Sequence, residues 1–143
     1  MMTSPLHLLL MSVLIAACQS CSKPRSYKYA FDVSVQTGNH HDASTDGSVE
    51  IKWLNRGHSS KDYSDWVKLD IQGNDDFEQG DNDIYRVETD YPSNDVVEVC
   101  AFLDWGSNWQ VHEICFRNIR RCFVFDTFIA PGSEKCSHTW RRY

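Results

Sequence analysis

Tyr29-Ala30-Phe31-Asp32-Val33-Ser34-Val35 alternates along its length, and setting Tyr29, Phe31, Val33 and Val35 on one side gives a strand with a single buried face. Outward from it the same period recurs. Residues 48–54 bury Val49, Ile51 and Trp53, Val67, Leu69 and Ile71 mark a third strand, and Tyr85, Val87 and Thr89 mark a fourth. The fourth is closed by Tyr91-Pro92-Ser93-Asn94-Asp95, a turn in which Pro92 presets φ. Residues 96–103 are more continuously apolar, as a central strand covered on both faces would be. Residues 110–117 and the aromatic-rich residues 122–128 follow. No segment sustains a 3.6-residue period over three turns. Seven or eight short strands separated by turn signals predict an all-β domain, an antiparallel β-sandwich.

The 143 residues show no compositional break, which predicts one domain with an ordinary core. Residues 1–20 stand apart. They hold a nearly continuous apolar run from Leu6 to Ala17, with no charged side chain before Lys23. Such a run is too short to span a bilayer and reads as a secretory signal peptide, with cleavage near Cys18 to Ser20. Ile15-Ala16-Ala17-Cys18 also looks like a bacterial lipoprotein box, although no Lys or Arg precedes the apolar run. The expected division is a signal peptide over 1–20, a flexible lead-in over 21–28, the sandwich over 29–130 and a C-terminal tail over 131–143.

Four cysteines, Cys100, Cys115, Cys122 and Cys136, lie in the last third and read as disulfide partners in an oxidising compartment, with three connectivities open. Cys100 and Cys115 flank a loop almost symmetrically, which makes a bridge between them attractive; Cys122 with Cys136 follows by default. No C-x2-C pair occurs after the signal, which counts against structural zinc. The net charge of −6 is unevenly spread: between Asp70 and Glu98 there are ten acidic residues and one basic one, Arg86. That balance argues against nucleic acid and against unaided binding to anionic lipid.

Three connections concentrate oxygen donors: Asp42-Ala43-Ser44-Thr45-Asp46-Gly47, residues 73–83 (GNDDFEQGDND), and Asp104-Trp105-Gly106-Ser107-Asn108. Calcium takes six to eight oxygens at ~2.3–2.6 Å from carboxylates, carbonyls and water. Asp42, Asp46, Asn74, Asp75, Asp76, Asp83 and Asp104 are of that type. Loops rich in Asp, Asn and Gly are nonetheless commonly plain turns, and no EF-hand pattern is present. His40 and His41 adjoin the first loop and read as solvated turn residues, because imidazole suits calcium poorly.

The thread Val33-Ser34-Val35-Gln36-Thr37-Gly38, Thr45-Asp46, Phe77-Glu78-Gln79-Gly80-Asp81-Asn82-Asp83, and Asp104-Trp105-Gly106-Ser107-Asn108-Trp109 resembles the PLAT, or lipoxygenase-homology, domain. The resemblance runs from about Tyr29 to Phe128. It implies an eight-stranded antiparallel sandwich that docks to membranes or to a protein partner, with calcium held by the loops at one end in some members. It further implies a ligand set of Asp42, Ser44 through its carbonyl, Thr45, Asp46, Asn74, Asp75, Asp76, Asp104 and the carbonyl of Trp105, with the second loop's register open by one residue. Ser44 departs from the family's usual glycine.

Trp105 sits beside a proposed ligand and is the candidate for insertion at headgroup level; Trp109 reads as core, and Tyr63 and Trp66 as a satellite hydrophobic cluster. No G-x-S-x-G elbow, H-E-x-x-H pair or phosphate-cradling glycine loop occurs, so no enzyme activity and no small-molecule substrate are expected. The expected protein is a secreted, calcium-assisted docking module for lipid headgroups or a protein partner. The alternative is a secreted structural or interaction protein that uses the same scaffold without metal.

Overall fold

The structure is a computed structural model that describes residues 26–70 and 75–143. The signal-peptide and lipoprotein-box readings, Ile71 and Asn74 lie outside the described residues. Nine strands are present: β1 (Tyr29–Thr37), β2 (Val49–Asn55), β3 (Val67–Leu69), β4 (Asn82–Thr89), β5 (Val96–Leu103), β6 (Trp109–Phe116), β7 (Arg121–Ile129), β8 (Ser133–Ser137) and β9 (Trp140–Arg142). They form two antiparallel sheets, a five-stranded one in the order β4-β1-β6-β7-β9 and a four-stranded one in the order β3-β2-β5-β8.

The opening heptad becomes the first seven residues of β1, which pairs on one side with β4 and on the other with β6. Phe31, Val33 and Val35 are buried as the alternation requires. Between the sheets, Phe31 meets Trp53 edge-on at 5.4 Å and Phe116 at 5.7 Å, and Phe116 meets Phe123 at 6.1 Å. Trp53 satisfies its indole N–H on the Pro92 carbonyl at 2.8 Å, so the large ring is buried without an orphaned donor.

Two expectations are corrected by the pairing. Residues 131–143 are not a tail. β8 hydrogen-bonds to β5 and β9 to β7, giving nine strands rather than eight. The disulfides join Cys100 to Cys136 and Cys115 to Cys122, not Cys100 to Cys115 and Cys122 to Cys136. The third loop that Cys100 and Cys115 flank crosses from one sheet to the other, which leaves the two residues in different layers. Each instead lies directly opposite its true partner: Cys100 faces Cys136 across β5 and β8, and Cys115 faces Cys122 across the β6–β7 hairpin. Two disulfides of this kind belong to an oxidising compartment.

Candidate functional site

The antiparallel order brings the first loop (residues 38–48), the end of the second (75–81) and the third (104–108) to one end of the sandwich. Loops one and three are locked together. Thr45 Oγ1 donates to the Ser107 carbonyl at 3.0 Å and accepts from Gly47 N–H at 3.1 Å, while the Ser107 hydroxyl donates to the Ser44 carbonyl at 2.9 Å. Asp104 N–H reaches the Ser48 carbonyl at 2.9 Å. A Cβ on Gly47 would lie 1.8 Å from the Trp105 carbonyl oxygen, so only glycine allows this approach.

The second loop joins at the other side of the first. Gly80 N–H donates to the Gly38 carbonyl at 3.0 Å and Thr37 N–H to the Asp81 carbonyl at 3.0 Å. Phe77 anchors it: with φ at 64° its ring is buried against Trp109 at 5.2 Å and Tyr85 at 5.5 Å, and its N–H donates to Asp83 Oδ2 at 2.9 Å. Trp109 is the core tryptophan expected, with its indole N–H on Thr37 Oγ1 at 3.1 Å. The buried segment at Phe77 fixes where the chain leaves the core, and Asp75 and Asp76 stand immediately before it.

A cleft of about 180 Å³ opens where these loops meet, and Asp46, Asp70, Asp75, Asp76 and Trp105 are among its lining residues. Its acidic donors are all oxygens, a set suited to a hard cation rather than a soft one. Two lining residues escaped the sequence reading. Asp70 follows β3 directly, and Lys68 Nζ pairs with it at 3.2 Å, already placing one positive charge at the cleft. Beneath, burial first and then the charges of Asp83 and Asp76 push the Tyr85 phenol far above its ordinary range.

The expected residues divide. Thr45, Asp46, Asp75, Asp76 and Trp105 share the cleft. Asp42 and Asp104 do not line it. Asp42 is exposed and pairs with His41 Nδ1 at 2.5 Å, and Asp104 is exposed in the third loop. Ser44 keeps its carbonyl on Ser107. Trp105 is 57% exposed, the most open of the large apolar side chains described, and Phe128, on the strand end beside these loops, is 38% exposed. Trp66 and Tyr63 do form a separate cluster: the Lys52 ammonium lies 4.3 Å from one ring centroid and 5.0 Å from the other, and Trp66 meets Phe102 at 5.7 Å.

A family model described as "PLAT/LH2 domain" matches residues 31–126. Among solved structures, coral 8R-lipoxygenase, described as calcium-activated through a C2-like domain, superposes with a TM-score of 0.61 at 24% identity, over 77% of this chain and 17% of that one. The alpha toxin of Clostridium absonum superposes with a TM-score of 0.59 at 16% identity, over 82% of this chain and 33% of the toxin. This chain thus spans from about one sixth to one third of the length of those proteins. No curated protein matches it.

Proposed function

The chain belongs to the PLAT/LH2 domain family, and from that membership we propose that it is a secreted, non-catalytic module whose acidic end docks on membrane lipid headgroups with the help of calcium. The observation that carries this reading is the sharing of one cleft by the exposed Trp105 and the carboxylates of Asp46, Asp75 and Asp76. Asp46, Asp75, Asp76 and the loop carbonyls would hold the ion; Asn74 and Asp104 remain proposed contributors from the same loops, whereas the Asp42 side chain stands apart beside His41. Calcium supplies the charge that offsets these carboxylates, which otherwise repel a phosphate. Lys68 would then give up Asp70 or share it. Trp105 places an amphipathic ring at headgroup depth, where one end of the indole stays wet and the rest is apolar.

The test is pelleting with phosphatidylserine and phosphatidylcholine vesicles, with calcium and with chelator. The expected result is binding with calcium only, lost in Asp46→Ala/Asp75→Ala and weakened about tenfold in Trp105→Ala. Equal pelleting in both conditions, or none in either, overturns the calcium-dependent membrane reading.

A second reading, a metal-independent protein-interaction module, is favoured by one observation. Among the described residues no group of three carboxylates at the cleft brings its oxygens within 4.8 Å of one another. Calorimetry separates the two readings, since saturable calcium heat that disappears in Asp46→Ala/Asp75→Ala belongs to the first alone.

A further inference from the structure

Three groups of His, Cys, Asp or Glu among the described residues bring their ligand atoms within 4.8 Å of one another: His40-His41-Asp42, Glu98-Cys100-Cys136 and Glu113-Cys115-Cys122. The last two contain the disulfides, whose sulfurs have no thiolate to offer a metal. Only the first has all its donors free of covalent bonds. We propose that His40, His41 and Asp42 form a binding site for a borderline divalent cation of the zinc and copper class, separate from the acidic cleft.

The backbone is already fixed in the form such a site needs. Ala43 N–H donates to the His40 carbonyl at 2.9 Å, closing a turn that carries all three side chains around one bend. Both ends of the turn are tied to β6. His40 N–H donates to Gln110 Oε1 at 3.3 Å, and Gln110 N–H donates to the carbonyl of the fully buried Ala43 at 2.9 Å. The His40 ring is steadied edge-on against Phe128 at 5.6 Å. The three side chains themselves are exposed, so an ion reaches them without disturbing the core.

Donor chemistry sets the class. Two imidazoles and one carboxylate match zinc and copper, whereas a hard cation prefers the all-oxygen cleft. Zinc bonds of ~2.0–2.2 Å, with three protein ligands and one position left for water, are the ordinary open arrangement. His41 Nδ1 and Asp42 Oδ1 are 2.5 Å apart, a hydrogen-bonded pair that must open to the ~3.3 Å between neighbouring tetrahedral ligands as zinc takes the place of the shared proton, and all three donors lie within 4.8 Å of one another. The family resemblance counts Asp42 among its calcium ligands, but here its side chain lies beside His41 and does not line the cleft. The site does not depend on the calcium reading: either can fail alone.

Zinc chloride titrated calorimetrically into the secreted protein, with any thiol outside the two disulfides alkylated, tests it. One zinc per chain is expected, with affinity reduced at least about tenfold in His41→Ala and abolished in His40→Ala/His41→Ala. Asp46→Ala/Asp75→Ala should bind zinc as the native chain does, and millimolar calcium should leave the titration unchanged. Circular dichroism checks that each variant is folded, which exposed positions permit. Wild-type affinity in the double histidine variant overturns the site. So does loss of zinc in Asp46→Ala/Asp75→Ala or in His112→Ala, which removes a β6 imidazole paired with Asp126 outside the proposed trio, displacement of zinc by calcium, or the absence of saturable binding.

Discussion

Gly47 and Tyr85 show how single residues hold the acidic end in shape. Gly47→Ala drives a methyl into the Trp105 carbonyl, which is backbone and cannot swing aside; the expected cost is about 2–3 kcal/mol, read as a fall in urea midpoint with unchanged m-value. Tyr85 is buried, and among the described residues its hydroxyl meets no hydrogen-bond partner at bonding geometry, although the Asp83 carboxylate lies close enough to act on the phenol. Its phenol is held up by burial above all, so above pH 10.0 the unfolded chain releases a proton that the folded chain retains. Fewer protons on the unfolded state means stability falls as pH rises, by up to about 1.4 kcal/mol per pH unit for this one group. Tyr85→Phe should remove that alkaline loss and raise neutral stability by about 1 kcal/mol, because an unsatisfied buried hydroxyl goes with it. Alkaline urea titrations of the two proteins check both signs.

At the scale of elements, β9 is the piece whose role the sequence left unread. Arg141 forks onto Glu113, which is only 8% exposed, with contacts of 2.8 to 3.2 Å. On the strand's other side the Arg121 guanidinium stacks over Trp140 at 4.3 Å. Arg141→Ala strands the Glu113 carboxylate in a nearly dry position and should cost about 2 kcal/mol, whereas Glu113→Gln in the same background should recover part of it. The disulfides should rank by the length of chain they enclose. Cys100–Cys136 closes a separation of 36 and Cys115–Cys122 one of 7, so double serine replacement should cost about 4 and about 2.5 kcal/mol respectively. The inner strands were legible because one face of each is buried, and Val33, Val35, Val49, Ile51 and Val87 obey period two. β8 was not: Ser133-Glu134-Lys135-Cys136-Ser137 sits at a sheet edge and buries only Ser137, so it has no apolar face to announce it. Nor was the irregularity between Val111 and Glu113, which resets the inward face from Val111 to Ile114.

Across the whole molecule, charge is divided by position. Asp46, Asp70, Asp75 and Asp76 gather at the cleft, while Arg117 and Arg120 in the β6–β7 turn and Arg142 at the end of β9 lie at the opposite end, without an ion pair among the described residues. If calcium loads the acidic end as proposed, it binds only the folded chain. An excess of about a hundredfold over Kd should then add about 2.7 kcal/mol of stability, visible as a rise in Tm of several degrees that chelator reverses and Asp46→Ala/Asp75→Ala lacks. The acidic composition of the loops could be read from the chain alone, and so could the family thread. Which carboxylates meet could not, because that depends on rotamers: Asp42 turns to its neighbour His41, and Asp70 enters the cleft from outside the expected set.

Strand direction gives the molecule a handle. β1 begins, and β9 finishes, at the end that carries the β6–β7 turn, because Arg142 lies opposite Arg121 and β1 runs from there toward Thr37. A fluorophore, a surface anchor or a second protein fused at Ser26 or Tyr143 therefore stands at the far pole from Trp105. Immobilised through either position, the domain presents its loops outward, so optical or force measurements can interrogate them with the attachment chemistry held at a distance.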